Sequence, residues 1–147
     1  KYLATQYFPN KEIDEEKSGI TPKSKLWKID IAIEKLRLAL TRNEEKKERL
    51  LLKFANERTS EMKKMSNEMR FVYVNEANKI REEYINKIKS NINSDDMIKK
   101  HLEVLQRVYD NSNEQAKTGL SRAINNSQNL IENRKKIREA TTEVRIN

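Results

Sequence analysis

The residues best suited to chemistry in this sequence are a single histidine and a few pairs of adjacent acids. His101 is the only histidine, and the chain has no cysteine. Between Ile98 and Leu105 on one side of a helix, it could act as a pH sensor or as a lone metal ligand. The simpler interpretation is a hydrogen-bonded histidine at the boundary of the core, because catalysis would also need a positioned acid or nucleophile.

The paired acids within the periodic part of the chain are Glu44-Glu45, Glu82-Glu83 and Asp95-Asp96. Neighbouring helical positions point about 100° apart, so such pairs are poor chelators. Two of the pairs also fall at predicted helix starts, where acids stabilise the helix dipole. Asp110, Ser112 and Glu114 resemble the start of a calcium loop, but the loop glycine and the distal glutamate are missing. We therefore predict no enzyme, no metal site and no cofactor.

Turn residues are scarce, which limits the fold class. Only Gly19, Gly119 and two prolines interrupt the 147 residues, so neither a GxGxxG turn nor a Walker-type phosphate loop can be written. Charged residues make up 37% of the chain and AVILMFWYC residues 35%, which predicts a thin core. We predict an all-α domain of about five helices, in which long antiparallel helices or hairpins surround a buried first helix.

Positive charge is concentrated in residues 23–65. The whole chain carries +8, and this segment alone carries +6. Such an excess suits an anionic partner such as nucleic acid, acidic phospholipid or a cell-wall polymer. Lysine and glutamate alternate along the segment, however, which is also typical of a solvated helix supported by i,i+4 ion pairs. The candidate face for an anionic partner consists of Lys46, Lys47, Arg49, Lys53, Lys63 and Lys64.

The elements that would position these side chains begin after an extended lead-in, residues 1–23, which prolines and a glycine interrupt. The first helix is predicted over residues 24–40, with Ser24 as its N-cap. Apolar residues cover nearly its whole circumference, so we expect it to be buried at the centre of the fold. The candidate core anchors are Trp27, Leu36, Leu40, Phe54, Met62, Leu102 and Leu105.

A second helical pattern starts at Asn43, a good N-cap followed by two acids. Its apolar positions recur at alternating steps of three and four residues, which is a heptad-like seam. The pattern fits one helix as far as Ile92, about 75 Å long, or two helices with a break near Ser66–Arg70. Three methionines on the seam are either core residues or the interface of a homo-oligomeric coiled coil. They are Met62, Met65 and Met69.

Two further helices complete the predicted domain. A turn at residues 91–96 precedes a helix that carries His101, and a polar break at residues 110–113 precedes the last helix. We assign residues 24–139 to the helical domain and residues 140–147 to a frayed tail. No run of about 18 apolar residues exists, so we expect any membrane attachment through a segment outside this chain.

Two groups of short motifs are similar to a known family. The first group is Ser24–Trp27, Leu36–Thr41 and Leu52–Arg58, and the second is Lys100–Leu105, Glu114–Lys117, Ala123-Ile124 and Ser127. In this order and spacing they resemble DUF5667, a helical domain of unknown function in secreted or membrane-tethered proteins of bacteria and archaea. The resemblance covers residues 22–137. The family often has proline at the positions of Lys25 and Asn113, and tyrosine at that of Trp27.

The resemblance implies an extracytoplasmic module, often beside a membrane helix. Arg58 and His101 match family motif positions, but no chemical role comes with them, so no catalytic residue is carried over. We expect a non-enzymatic interaction or spacer module of a cell-envelope protein, with the sensory part of a signalling protein as one such role. Its expected partner is another protein or an anionic envelope polymer. The alternative is an intracellular module that binds nucleic acid through residues 23–65, although no nucleic-acid-binding motif is present.

Overall fold

Five helices make up the part of the chain that the computed structural model describes, residues 19–89 and 92–146. They are α1 Trp27–Leu40, α2 Glu44–Asn67, α3 Phe71–Asn86, α4 Ile92–Asp110 and α5 Glu114–Ile146. These residues contain no strand, and the all-α prediction is confirmed. Most of the predicted lead-in, residues 1–18, lies outside the described residues. α5 continues beyond residue 139, where the predicted domain ends.

Helices α2 to α5 form an antiparallel four-helix bundle with two apolar layers. One layer joins the beginning of α2 to the end of α3, and the other joins the end of α2 to the beginnings of α3 and α5. Each helix therefore runs opposite to the preceding one, as short connections favour. The first layer contains Leu38, Leu51, Leu52, Phe54, Ala55, Tyr84, Ile85, Ile88, Met97 and Ile98. The second contains Met62, Met65, Val74, Ala77, Leu105, Val108, Ala116, Leu120, Ala123 and Ile124.

Asparagine side chains start two of the helices. The Oδ1 atom of Asn43 accepts a hydrogen bond from the backbone N–H three residues later at 2.9 Å, as predicted for an N-cap. Asn113 does the same at the start of α5, at 3.0 Å. The first helix differs, because α1 begins at Trp27 and its N-cap is Leu26. Ser24 lies two residues before that N-cap, so the predicted Ser24 cap is wrong.

A left-handed residue separates α2 from α3. Met69 has φ 57°, and the backbone N–H groups of Met69 and Arg70 donate to the carbonyls of Ser66 and Met65 at 2.9 and 2.8 Å. This is the Schellman arrangement, which closes a helix around one left-handed residue, most often glycine. The predicted alternative of a break at this point is therefore right, and the single long helix is wrong.

α1 is not the buried centre of the fold. Leu36 and Leu40, two of the predicted core anchors, are 58% and 72% exposed, so these predictions are wrong. A helix that is apolar all round needs partners on all sides. The bundle of α2 to α5 fills its own core, and α1 therefore packs against it with one side only. The buried residues of α1 are Trp27, Ile31, Glu34 and Leu38.

The other predicted anchors lie in or against the core. Trp27, Phe54, Met62 and Leu105 are buried, and Leu102 is partly buried against the second layer. Met62 and Met65 are completely buried within the chain, whereas Met69 is exposed and lies outside α2. The methionine seam is thus part of this chain's own core. A homo-oligomeric coiled coil built on these three methionines is contradicted.

Candidate functional site

A buried ion cluster fastens the inner side of α1 to the bundle. The Nη2 atom of Arg58, on α2, lies 2.9 Å from Glu61 and 3.2 Å from Glu34. It also lies 3.5 Å from Asp30. Glu34 and Asp30 belong to α1, so the contact crosses between two helices. The guanidinium is buried at a position that the sequence pattern places on the apolar seam of α2.

Two neutral donors complete this cluster. The indole N–H of Trp27 donates to Oε2 of Glu61 at 3.0 Å, and the hydroxyl of Tyr84 donates to Oε2 of Glu34 at 2.7 Å. Arg58 contacts the other oxygen, Oε1, of each carboxyl group. Its guanidinium carbon also lies 5.8 Å from the centre of the Trp27 ring, within cation–π range. Both oxygens of Glu34 therefore accept a hydrogen bond, whereas Oε1 of Glu61 forms an ion pair with Arg58 without one. The Nε and Nη1 atoms of Arg58 are also buried without a hydrogen bond among the described residues.

The cluster contains more buried acid than buried base. Burial raises the pKa of Glu61 to about 8 and the pKa of Glu34 to about 7, although Arg58 and the hydrogen bonds lower both. Burial and the contact with Glu34 also raise the pKa of Tyr84, so its hydroxyl remains a donor. A raised carboxyl pKa can mark an acid catalyst. Here both carboxyl groups are enclosed by their own chain, and the geometry serves the attachment of α1.

The outer side of α1 carries a row of exposed apolar side chains, which we call the outer stripe. Its members are Leu26, Ile29, Ile33, Leu36 and Leu40, which are 48–72% exposed. Steps of three, four, three and four residues align them along about 21 Å of the helix. They lie about 150° around the helix from the buried residues. The sequence therefore shows two apolar sides of α1, of which the bundle covers one.

The candidate basic residues follow the solvent side of α2 and are interleaved with acids. Five of the six fall within about 100° of the helix circumference, namely Lys46, Arg49, Lys53, Lys63 and Lys64. Lys47 lies about 100° away from Lys46. Arg49 forms an ion pair with Glu45, and Lys53 lies 3.9 Å from Glu57. This arrangement is typical of a solvated helix face with i,i+4 pairs.

His101 lies deeper than the predicted core boundary, inside the four-helix bundle. Its Nε2 atom is 3.1 Å from Nη1 of Arg81, and its Nδ1 atom is 2.7 Å from Oδ1 of Asn56. Arginine can only donate, so Nε2 accepts, Nδ1–H donates, and the ring is neutral. Burial, and then the charge of Arg81, hold the pKa of His101 well below its ordinary value. These contacts favour the hydrogen-bonded interpretation of His101 over the pH sensor.

Arg81 completes a buried network that was not predicted from the sequence. Its Nε donates to Asn78 at 3.0 Å, and its Nη2 donates to Ser127 at 3.1 Å. Together with His101 and its asparagine partner, it links side chains from all four helices of the bundle, with two of them from α3. Burial lowers the pKa of Arg81 to about 10, so the guanidinium stays charged at neutral pH. A signal was present, because Arg81 lies three residues before Tyr84 and thus on the apolar seam.

A polar cleft of about 270 Å³ lies between α3 and α5, and Arg81, Glu82, Asn126 and Ser127 are among its lining residues. These groups bond to one another, since Asn126 donates to Glu82 at 2.9 Å and Arg81 donates to Ser127. Among residues 19–89 and 92–146, no group of three or more acidic or histidine side chains could hold a metal ion. No helix in this part of the chain is long and apolar enough to cross a membrane.

Comparison with family models identifies the domain that contains these features. The model described as "Domain of unknown function (DUF5667)" matches residues 19–145. The chain belongs to the DUF5667 family. The resemblance inferred from the motifs over residues 22–137 is therefore confirmed. No curated protein and no solved structure matches the chain. The ion cluster, the outer stripe and the bundle network all lie within the DUF5667 domain.

Proposed function

We propose that this DUF5667 domain is a non-enzymatic interaction module of a cell-envelope protein. The observation that carries the proposal is the outer stripe, a line of five large apolar side chains that face solvent. A contiguous exposed apolar row on an otherwise charged surface is typical of an interaction site. Its spacing suits a partner helix that lies along α1 and inserts its own apolar side chains between these residues.

The ion cluster makes α1 a fixed platform for such a partner. Arg58 and Tyr84 hold Glu34, and Trp27 is bound to Glu61, so the inner side of α1 is fastened at several points. A helix fixed in this way presents its outer stripe without a further loss of backbone entropy on binding. Preorganisation of this kind favours affinity, because less ordering accompanies association.

The proposed location is outside the cytoplasm, in a protein tethered to a membrane by a segment outside this chain. The support is an architectural analogy with the settings in which the family occurs. In this role the domain binds another protein through α1, or an anionic envelope polymer along the basic side of α2. It then serves as a spacer or as the sensory part of a signalling protein.

Crosslinking in cells tests the outer stripe directly. A photoreactive amino acid in place of Leu36 should capture a partner of the full-length protein. The same amino acid in place of Val72, which is 70% exposed on α3, is the matched control and should not. Ile33→Glu should abolish capture at position 36 while the circular dichroism spectrum stays helical, because Ile33 faces away from the bundle. Equal capture from positions 36 and 72 would contradict the proposed interaction site.

Protease accessibility tests the location separately. The full-length protein would carry a tag after Asn147, and intact cells would be treated with protease. Cleavage of the tagged domain without lysis supports an extracytoplasmic position. Protection until lysis, while a known surface protein is cut, would contradict that position and leave the interaction role to be tested on its own.

Nucleic-acid binding is the second candidate function, and the basic side of α2 favours it. The row from Lys46 to Lys64 extends over about 27 Å, long enough to follow several phosphates. The interleaved Glu45 and Glu57 weaken that field, which is why this function ranks second. Phosphate binding requires an apparent affinity that falls log-linearly with salt, and Lys53→Gln should make the slope shallower by about one. An affinity that does not depend on salt would exclude it.

A further inference from the structure

α1 has the residue pattern of a helix that pairs on two sides. With Leu26 placed at heptad position a, the outer stripe has Leu26, Ile33 and Leu40 at a, and Ile29 and Leu36 at d. The inner residues Trp27, Ile31, Glu34 and Leu38 occupy positions b and f. These inner residues also recur at alternating steps of four and three, and the bundle covers them, so the outer stripe is a second seam of the same spacing that the bundle leaves exposed.

We propose that the occupant of the outer stripe is α1 of a second copy of this chain, running antiparallel. This inference rests on the proposed function, since it names the partner of the same surface. In antiparallel coiled coils, position a packs against position d of the other helix. One register places Ile33 opposite Leu36 and Ile29 opposite Leu40, and the two-fold axis repeats both pairs. Every layer of the interface then joins an isoleucine to a leucine.

The charges beside the outer stripe select this register. Asp30 and Arg37 both occupy position e and face each other across the axis, twice. The Asp30 side chain keeps 34% of its surface exposed beside Arg58, and Arg37 is exposed. Arg37 takes part in no ion pair among the described residues. A register shifted by one heptad would bring the two Asp30 carboxylates together, which costs free energy.

The side chains along the other edge of the stripe are small, which lets the two helices approach closely. Ala32 and Ala39 occupy position g and face each other in the same register. The antiparallel order also places the N-terminus of each helix beside the C-terminus of the other, so that the two helix dipoles attract. When α1 is paired with itself in this register, the apolar, the charged and the small positions all match. A partner with an unrelated sequence would not account for this match.

The size of the stripe predicts a weak dimer. The paired segment, Ile29 to Leu40, is about 16 Å long and should bury less than the roughly 800 Å² per partner that is typical of stable interfaces. We therefore expect a dissociation constant in the micromolar-to-millimolar range. If both copies are tethered to one membrane, as the proposed function has it, their effective concentration would favour the dimer.

The absence of cysteine from the chain permits a disulfide test. Ile29→Cys and Leu40→Cys variants of the 147-residue chain would each be oxidised alone and as a mixture. In the proposed register, each single variant holds its two thiols about 16 Å apart and should not crosslink, whereas the mixture should. Val72→Cys mixed with either variant is the control and should not crosslink. Sedimentation velocity should show a concentration-dependent dimer that Leu36→Glu abolishes.

Each other outcome overturns the inference in a defined way. Disulfides between two copies of the same variant, without a disulfide between positions 29 and 40 in the mixture, would show a parallel pair. An intrachain disulfide in a Phe8→Cys, Leu36→Cys double variant would show that residues 1–18 cover the stripe. A monomer at every concentration, without crosslinks, would exclude a second copy. In that case, capture of a different protein at position 36 in cells would still support the proposed function, and failure of both would remove both.

Discussion

Arg58 faces two buried carboxyl groups, and one guanidinium cannot neutralise both. Burial raises the pKa of Glu61 to about 8 and that of Glu34 to about 7, from an ordinary value of 4.5. Between these values, the folded domain binds protons that the unfolded chain has released. The stability that these groups contribute is therefore complete below pH 4.5 and is lost as the pH rises toward 8.

His101 changes stability in the opposite direction at lower pH. Its pKa in the folded domain is well below the ordinary 6.5, because it is buried beside Arg81. Below about pH 6.5 His101 becomes protonated in the unfolded chain but stays neutral in the folded domain, so the free energy of unfolding falls as the pH falls. The two effects oppose each other below pH 6.5. Above pH 6.5, the effect of the carboxyl groups remains.

We expect the free energy of unfolding to fall by about 2 kcal/mol between pH 6.5 and pH 8. Glu61→Gln should remove most of this decrease, because the amide cannot ionise but its oxygen can still accept the indole N–H of Trp27. Urea denaturation at the two pH values measures the difference. Glu44→Gln, an exposed glutamate that pairs with Lys89, is the control and should keep the wild-type decrease. A wild-type decrease in Glu61→Gln would contradict the raised pKa.

His101→Leu should destabilise the domain by about 2–4 kcal/mol. Leucine leaves a buried N–H of Arg81 and the amide oxygen of Asn56 without their partner. His101→Gln should cost roughly half as much, because its amide offers an acceptor and a donor. Denaturant unfolding at pH 7.5, where the histidine is neutral in both states, measures the two costs. If leucine proves no more harmful than glutamine, the network does not stabilise the bundle.

At the scale of elements, local sequence patterns predict the helices but not the neighbours of α1. The Asn43 cap and the apolar periodicity are local signals, and they predicted the start of α2 and the possible break after it. Whether other helices cover an apolar side of α1 depends on the size of the core that those helices form. This is a property of the whole fold, which a local sequence pattern does not contain. The prediction that Leu36 and Leu40 belong to the core is wrong for this reason, and a charged residue of the same helix, Glu34, is buried instead.

Two leucines on α1 should separate the inner side from the outer stripe. Leu38→Ala should cost about 2–4 kcal/mol, because Leu38 is buried in the first apolar layer. Leu36→Ala should change the free energy of unfolding by less than about 0.5 kcal/mol, because Leu36 is mostly exposed. Urea denaturation measures both changes in the free energy of unfolding, at a protein concentration low enough for the weak dimer to dissociate. Equal costs would show that a partner covers the outer stripe even then.

Met69→Gly should stabilise the domain by about 0.5–1 kcal/mol. Met69 holds a left-handed conformation that glycine adopts without steric cost, and its exposed side chain contributes little to the core. Met69→Ala keeps the conformational cost and is the matched control, so it should leave the melting temperature near the wild-type value or lower. Thermal unfolding compares the variants. A lower melting temperature for Met69→Gly than for Met69→Ala would mean that the turn is not strained.

At the scale of the whole molecule, short connections and apolar seams were enough to predict an antiparallel all-α bundle. The pairing of buried polar groups was not predictable in the same way. His101 meets Asn56 and Arg81 because four helices converge, and their residues are 20 to 46 positions apart in the chain. The position of Arg58 and Arg81 on apolar seams predicts that they are buried and therefore need a polar partner. It does not show which distant side chain will supply one.

Substitutions of the methionines on the α2 seam test whether these side chains are buried within one chain or between two copies of it. Met65→Lys places a charge in the second apolar layer and should unfold the domain, because a buried unpaired ammonium is far more costly than the domain's stability allows. Met69→Lys changes a residue that is 60% exposed and should leave the fold intact. Circular dichroism and sedimentation velocity distinguish the results. If Met65→Lys instead left a folded monomer where the wild type is a dimer, the methionine seam, and not the outer stripe of α1, would be the interface between copies.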